Sequence, residues 1–203
     1  MEMTAKEITT KLYAFETGYS TDQLKSGMFN QDKILEAKKI INNYNIVIDE
    51  TASLFARKML QKARYYKKHN EIEVIIVDYL QLMQGDKQNG RVEEVSSISR
   101  ALKQMAKELN VPVIALSQLN REVEKRADKR PMLADLRDSG AIEQDADVVL
   151  MMYRESMYRS LNEGEPDITE IFVAKNRNGE GGFMTKLLFI PKTAMFVNYQ
   201  QDY

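Results

Sequence analysis

Three short apolar runs, each ending in polar residues, limit what this 203-residue chain can fold into more than any other feature. They are VIIV (74–77) before Asp78, VPVIAL (111–116) before Ser117 and Gln118, and ADVVLMMY (146–153) before Arg154. Apolar runs without alternation are typical of strands covered on both faces, as in a parallel sheet. Helical spacing of apolar residues lies between the runs, so the sequence predicts an α/β protein built from βαβ units.

Apolar spacing and turn residues predict the remaining elements. Helices are expected over 4–15, 32–41, 54–68 and 92–109, the third capped by Thr51 or Ser53, and strands over 45–49, 73–78, 111–119 and 146–154. From about residue 168, the segments ITEIFVAK, GFMTKLLFI and AMFVNY with short connections predict an antiparallel extension. The polar, Gly-containing stretch QGDKQNGR (84–91) predicts an exposed loop. We expect residues 1–203 to form one domain.

Composition excludes several classes of function. The chain has no Cys and one His, which excludes disulfides, thiolate chemistry and the usual zinc ligand sets. Its formal charge is −1, so any binding of nucleic acid must come from local basic patches. No apolar run approaches the ~20 residues of a membrane span, and the start lacks the order of a signal peptide. We expect a soluble, cytoplasmic protein with no membrane partner.

Asp78 and Gln118 are the candidate catalytic residues at the strand ends. Two parallel strands that end at these residues would bring a carboxylate and a carboxamide to one edge of the sheet. This pairing suits nucleotide hydrolysis, in which Asp orients Mg²⁺ and Gln detects the γ-phosphate or the attacking water. Each residue also has a plain structural explanation, since Asp78 could cap the next turn and Gln118 could bond to loop backbone.

KNRNG (175–179) offers two cations in the pattern of a polyanion site. Lys175 and Arg177 are at alternate positions, so both could point the same way from an extended segment. A guanidinium and an ammonium together suit a triphosphate or a nucleic-acid backbone. A solvated turn explains them equally well.

A second basic region lies in the charge-dense segment 121–140. Its last part, RDSG (137–140), places Arg137 beside Gly140, where backbone N–H groups could approach a phosphate closely. Lys87 and Arg91 add a second basic loop, and two such loops could hold a single strand by its phosphates. Mixed charges of this kind are also typical of a solvated surface.

Four long strings resemble a known family. They are DYLQLM (78–83), ISRALKQMAKELNVPVIALSQLNR (98–121), DKRPMLADLRDSGAIEQDADVV (128–149) and KNRNG (175–179). In order, and over nearly the whole chain, they resemble the RecA-like motor domain of hexameric replicative helicases of the DnaB family. The resemblance implies a P-loop NTPase-type fold, with a mostly parallel sheet flanked by helices and antiparallel carboxyl-terminal strands. It also implies a homo-hexamer that hydrolyses ATP between subunits and moves on single-stranded DNA.

The resemblance also implies catalytic roles for single residues. Asp78 corresponds to the Walker B aspartate that positions Mg²⁺, and Gln118 to the glutamine that links the γ-phosphate to the DNA loops. Glu2 resembles the catalytic glutamate that polarises the attacking water. Lys175 and Arg177 resemble the pair that reaches the neighbouring subunit's site, with Arg177 as the finger.

For DNA and partners, the resemblance implies a further set. Arg137, Asp138 and Gly140 match the loop that holds the DNA backbone, although the family often has Glu where this chain has Asp138. Lys11 stands where many members have Arg near the nucleotide. Primase and a helicase loader are the implied protein partners.

The phosphate-binding loop is the main departure from the family. Its motif, G-x-x-x-x-G-K-[ST], lies upstream of the catalytic Glu, and none of the nine Gly residues here stands in such a motif. We favour a fragment over a naturally curtailed relative, because a chain released from catalysis has no physical reason to keep Asp78, Gln118 and Arg177 together. The strand that feeds the loop would lie between the strands at 112–117 and 147–153. The isolated chain is therefore expected neither to bind nor to hydrolyse ATP, and to aggregate.

Two other hypotheses remain at this point. One is a non-catalytic DNA-binding or ring-assembly module on the same scaffold, which tight strand binding without nucleotide would favour. The other is a recombinase-like or circadian-type ATPase, against which the strings RDSG and KNRNG argue. Unwinding of a forked duplex, as opposed to strand exchange, would separate this ATPase from a helicase.

Overall fold

The computed structural model describes residues 3–51, 55–84 and 90–200, and of residues 137–139 it describes the backbone alone. Its helices are Ala5–Thr17 (α1), Thr21–Ser26 (α2), Gln31–Asn42 (α3), Ala56–Asn70 (α4), Arg91–Leu109 (α5) and Gly140–Asp145 (α6). Its strands are Ile75–Val77 (β1), Val113–Ala115 (β2), Val148–Arg154 (β3), Ile168–Asn176 (β4), Met184–Ile190 (β5) and Met195–Asn198 (β6). Short 3-10 helices span Leu80–Leu82, Arg121–Lys125, Leu133–Ser139 and Glu155–Met157.

The strands form a parallel sheet and an antiparallel sheet. β1 pairs in parallel with β2, with Ile76 opposite Ile114. The second sheet has the order β3-β4-β5-β6, and β4, β5 and β6 pair antiparallel. Both observations agree with the predicted α/β class with an antiparallel extension.

Helices α4 and α5 cover one face of the parallel pair. α5 presents Val95, Ile98, Leu102 and Met105 on one stripe, and these side chains pack in a buried cluster with Val77 of β1. Spacings of three and four residues place them on one side of the helix. The predicted helix at 92–109 and its apolar stripe are confirmed.

The other face of the parallel pair is exposed, and we call it the open face. It consists of Val74, Ile76, Ile114 and Leu116. Ile76 is 63% exposed and Ile114 is 52% exposed. The expectation of strands buried on both faces is therefore wrong for the described residues, because α4 and α5 lie on one side only.

Two local predictions are wrong. Residues 45–50 form no strand, since in the described chain they have no neighbour with which to build a hydrogen-bonded ladder. Helix α4 begins after Phe55 without a side-chain cap, so Thr51 does not cap it, and Ser53 lies outside the described residues. Thr51 instead donates its backbone N–H to Asp49 Oδ1 at 3.0 Å. Local residue type alone did not reveal these pairings.

The chain divides into two compact units. Val47–Val149 and Ala174–Gly181 form most of the first, and Met3–Ile46 and Leu150–Val173 form most of the second. The prediction of a single domain over 1–203 stays a prediction. None of the described helices is long and apolar enough to cross a membrane.

Candidate active site

Asp78 and Gln118 both follow strands of the parallel pair. Asp78 comes directly after β1 and is half-buried, and Gln118 is exposed a short distance after β2. The backbone pairing continues beyond the strands, because Leu80 N donates to Leu116 O at 2.9 Å. The peptide bond between Asp78 and Tyr79 is cis. The structure thus brings the predicted carboxylate and carboxamide to the same edge of the sheet.

The side chain of Gln81 ties these two strand ends together, a role that no sequence motif indicated. Its Nε2 donates to Ser117 Oγ at 2.9 Å and to the Gln118 carbonyl at 3.2 Å. Its Oε1 accepts from the Gln118 backbone N–H at 3.2 Å. Gln81 therefore fixes the backbone of Gln118 relative to the turn that follows Asp78.

Arg91 lies at the first residue of α5 rather than in the preceding loop. Its Nη2 donates to the Gln81 carbonyl at 2.6 Å, and its Nη1 pairs with the buried carboxylate of Glu94 at 2.7 Å. These contacts hold the turn after Asp78 against α5. The proposed contact of Arg91 with DNA stays a prediction, and Lys87 lies outside the described residues.

The two cations of KNRNG point to the same place, as their alternate spacing predicted. Lys175 Nζ donates to the carbonyls of Glu143 at 2.6 Å, Gln144 at 3.4 Å and Ala146 at 2.8 Å. Arg177 Nη2 donates to the Gln144 carbonyl at 2.7 Å. Carbonyls at the end of a helix lack partners within it, so these cations satisfy the end of α6.

Asp147 joins these cations to helix α5. Its Oδ1 accepts from Arg177 Nη1 at 2.9 Å, its carbonyl accepts from the Arg177 backbone N–H at 2.8 Å, and its Oδ2 pairs with the Lys103 ammonium. The hydrogen bond from Lys103 lowers the pKa of the Asp147 carboxyl group, and the charges of Arg177 and Lys175 act in the same direction. We call Lys103, Asp147, Lys175 and Arg177 the Asp147 cluster.

The backbone of RDSG forms the junction between two helices. The 3-10 helix Leu133–Ser139 runs directly into α6 at Gly140. Asp135 anchors the 3-10 helix, because its carboxylate accepts from Arg126 at 3.1 and 2.7 Å and from the Met132 backbone N–H at 2.8 Å. A Cβ added at Gly140 would meet no atom within 4 Å, so its backbone is open to approach. The roles of the Arg137 and Asp138 side chains stay predictions.

Asp78 fits a magnesium site of the kind that substrates complete. In the described residues, no group of three or more His, Cys, Asp or Glu side chains could hold a metal ion. Mg²⁺ is commonly held by one or two carboxylates together with waters and the phosphates of a substrate. A single half-buried carboxylate at the edge of the sheet meets that description.

Two further candidates lie apart from this edge. Glu2 is outside the described residues. Lys11 lies on α1 in the second unit, where it is exposed and its Nζ is 3.4 Å from Met3 Sδ. The predicted roles of both residues stay predictions.

The second unit contains an open cavity of about 240 Å³ that the sequence analysis missed. It is lined by Met152, Tyr153, Arg154, Met157, Tyr158, Thr169 and Phe196. The rings of Tyr153 and Tyr158 stack with their centroids 5.8 Å apart, and the Arg154 guanidinium lies 4.0 Å from the centroid of Phe189. Stacked rings beside a guanidinium suit a flat aromatic ligand. The alternation of Met, Tyr and Arg in MMYRESMY was the only sequence signal for this cavity.

Comparison with known proteins now decides the family. The family described as DnaB-like helicase C terminal domain matches residues 1–198. The chain belongs to this family. Replicative DNA helicase DnaB of Geobacillus stearothermophilus is 41% identical over 208 residues, which cover 100% of this chain and 45% of that protein. The chain therefore spans less than half the length of that relative.

Solved structures of related proteins have the same architecture. One of them, whose title describes it as an ATPase domain, superposes with a TM-score of 0.89 at 38% identity, over 98% of this chain and 72% of that chain. A DnaB-like replicative helicase, solved in a study of its interactions with primase, also gives a TM-score of 0.89 at 38% identity. The match covers 98% of this chain and 50% of that helicase chain. These similarities confirm the predicted RecA-like α/β fold.

Proposed function

We propose that this chain is part of the ATP-dependent motor of a replicative DNA helicase. The motor hydrolyses nucleoside triphosphate at subunit interfaces and moves on single-stranded DNA to unwind the duplex. The observation that carries the proposal is the placement of Asp78 and Gln118 at one edge of the parallel pair, tied together by Gln81. Relatives named replicative DNA helicase support it, at identities such as 41%.

At the nucleotide, each proposed residue has a separate task. Asp78 would hold Mg²⁺, which when bound neutralises charge on the β- and γ-phosphates. Gln118 would contact the γ-phosphate or the attacking water, from a backbone whose position Gln81 sets. Glu2 is proposed as the group that polarises the water. These tasks require ATP and Mg²⁺ as cofactors.

The proposed finger serves a neighbouring subunit in a homo-hexamer. Among the described contacts, Arg177 binds Asp147 and Gln144, not Asp78 or Gln118 of its own chain. Its side chain is 43% exposed, and a guanidinium carries further N–H donors with which to bind a phosphate. Lys175 can reach the same phosphate only by releasing the carbonyls of α6.

DNA, primase and a helicase loader are the proposed partners. The loop 137–140 would hold the backbone of the strand through Arg137 and the open backbone at Gly140, with Lys87 and Arg91 as further contacts. Primase is proposed because a structural relative was solved in a study of its interactions with primase. The cytoplasm is the proposed compartment.

Arg137→Ala in the complete protein is expected to weaken binding of single strands of any sequence. A phosphate contact carries no sequence information, and its loss should reduce the salt slope of log K by about one contact. Fluorescence anisotropy with labelled oligonucleotides over a series of salt concentrations measures both quantities.

The control is Arg100→Ala, which removes the same charge from an exposed position on α5 where Arg100 pairs with Glu93 at 2.9 Å. This variant should keep the wild-type slope. Gly140→Ala is a second probe, because the added Cβ meets no atom of the chain yet would obstruct a phosphate. An unchanged slope in Arg137→Ala, with unchanged affinity in Gly140→Ala, would place the DNA elsewhere.

The isolated 203-residue chain is expected to bind no ATP measurably and to aggregate. The sequence has no G-x-x-x-x-G-K-[ST] loop to cradle the phosphates, and the open face exposes Ile76 and Ile114 to water. Calorimetric titration with ATP and Mg²⁺ measures the binding, and light scattering measures the aggregation.

The comparison sample is the same chain joined to the upstream half of the Geobacillus stearothermophilus relative, of which this chain covers 45%. We expect this hybrid to stay monodisperse and to bind ATP. Micromolar binding of ATP by the 203 residues alone would show that the site is misplaced.

A further inference from the structure

We propose that Asp147 is a positioning residue that orients the guanidinium of Arg177 toward the neighbouring subunit. This inference rests on the proposed function of Arg177 as the finger. Asp147 was not among the candidates that the sequence pattern indicated. The evidence is the set of contacts within the Asp147 cluster.

Three hydrogen bonds fix the orientation of Arg177. Its backbone N–H donates to the Asp147 carbonyl at 2.8 Å, which sets the direction in which the side chain leaves β4. Its Nη1 donates to Asp147 Oδ1 at 2.9 Å and its Nη2 to the Gln144 carbonyl at 2.7 Å. Because a guanidinium is planar, two bonds from different nitrogens determine the plane of the group. Asp147 supplies two of the three acceptors.

The charges of the cluster argue for positioning rather than sequestration. Lys103 binds Oδ2 of the same carboxylate, so Asp147 is shared between two cations. Within the cluster, one carboxylate faces the three cations Lys103, Lys175 and Arg177. The cluster therefore keeps a net positive charge, which a triphosphate of the neighbouring subunit can meet.

The cluster also lies at the end of the element that follows the proposed DNA loop. α6 begins at Gly140, the last residue of RDSG, and ends shortly before Asp147. Lys175 and Arg177 both bind its final carbonyls. A movement of the loop would therefore displace the acceptors that orient Arg177, so Asp147 connects the DNA contact to the finger.

The test is Asp147→Ala in the complete protein, with steady-state ATP hydrolysis as the readout. We expect kcat to fall on the order of 10²-fold with little change in KM, because misplacing a catalytic group lowers turnover more than ground-state binding. Asp147→Asn keeps the shape of the side chain and one acceptor for Arg177, so it should fall less. If Asp147→Ala lowers the melting temperature, the comparison is made with Asp147→Asn.

Two further measurements separate positioning from a merely structural role. The double variant Asp147→Ala/Arg177→Ala should hydrolyse ATP no more slowly than Arg177→Ala alone, since Asp147 acts through Arg177. Rings mixed from Asp147→Ala and Asp78→Asn subunits should regain activity, because some interfaces then join an intact Asp78 to an intact Arg177. Rings mixed from Asp147→Ala and Arg177→Ala subunits should not. Glu108→Ala, which breaks the pair with Arg64 on the same helix as Lys103, is the matched control and should hydrolyse normally.

Several outcomes would overturn the inference. Wild-type kcat in Asp147→Ala, beside a severe loss in Arg177→Ala, would leave the finger in place and remove Asp147 from it. A rise in kcat would show that Asp147 sequesters Arg177. Rescue by Arg177→Ala subunits but not by Asp78→Asn subunits would place the action of Asp147 in its own subunit's site. Wild-type turnover in Arg177→Ala itself would refute the proposed finger, and the inference would fall with it.

Discussion

Asp78→Asn in the complete protein is expected to fold normally and to lose Mg²⁺-dependent ATP hydrolysis by at least roughly 10²-fold. The substitution preserves the shape of the side chain and removes the charge that would hold the metal. A metal ion's stabilisation of a transferring phosphoryl group is worth several kcal/mol, and each 1.4 kcal/mol or so is tenfold in rate. Phosphate release measured over a titration of Mg²⁺ gives the effect.

The matched control for this variant is Asp49→Asn. Asp49 lies in the same compact unit and pairs with Lys62 at 2.7 Å, away from the end of β1. It should hydrolyse ATP at the wild-type rate, and circular dichroism should show the same secondary structure in both variants. Wild-type turnover in Asp78→Asn would refute the assignment of the metal ligand.

Arg177→Ala is expected to lower hydrolysis on the order of 10³-fold, since arginine fingers contribute this much to phosphoryl transfer. Its guanidinium is partly exposed and bound to Asp147 and Gln144, not to the nucleotide edge of its own chain. Arg64→Ala, which removes an exposed arginine paired with Glu108 at 2.5 Å, is the control. Turnover by purified complete rings is the measurement.

Mixing experiments then test whether Arg177 acts on the neighbouring subunit. Rings assembled from Arg177→Ala and Asp78→Asn subunits contain some interfaces with both residues intact, and these should restore activity in proportion to their number. Native mass spectrometry establishes that mixed rings form. An absence of rescue at every ratio, in rings shown to be mixed, would argue that Arg177 serves its own subunit.

The sequence predicted the elements whose signal is local. Apolar runs placed β1, β2 and β3, and the stripe through Val95, Ile98 and Leu102 placed α5. The order of strands and helices then led to the α/β class, because connections of this kind have few arrangements. The carboxyl-edge location of Asp78 followed from the same rule.

What the sequence could not predict depends on contacts between distant residues. The segment at 45–49 has the composition of a strand, but a strand requires a partner, and that partner is not specified locally. The link between Gln81 and Gln118 joins residues 37 apart, and the link between Asp147 and Arg177 joins residues 30 apart. No short motif encodes such pairs, so the residues that support the site were missed while the residues at strand ends were found.

The open face of the parallel pair sets a conflict between handling and assembly. Replacing Ile76 or Ile114 by a polar residue would make the chain easier to keep in dilute solution, because each is more than half exposed. The same replacement would remove aliphatic surface that a second layer of helices needs in order to pack on this sheet. A version of these residues engineered for good laboratory behaviour would therefore be a poor reporter of how the motor is put together, and the wild-type aliphatic side chains should be kept in any study of assembly.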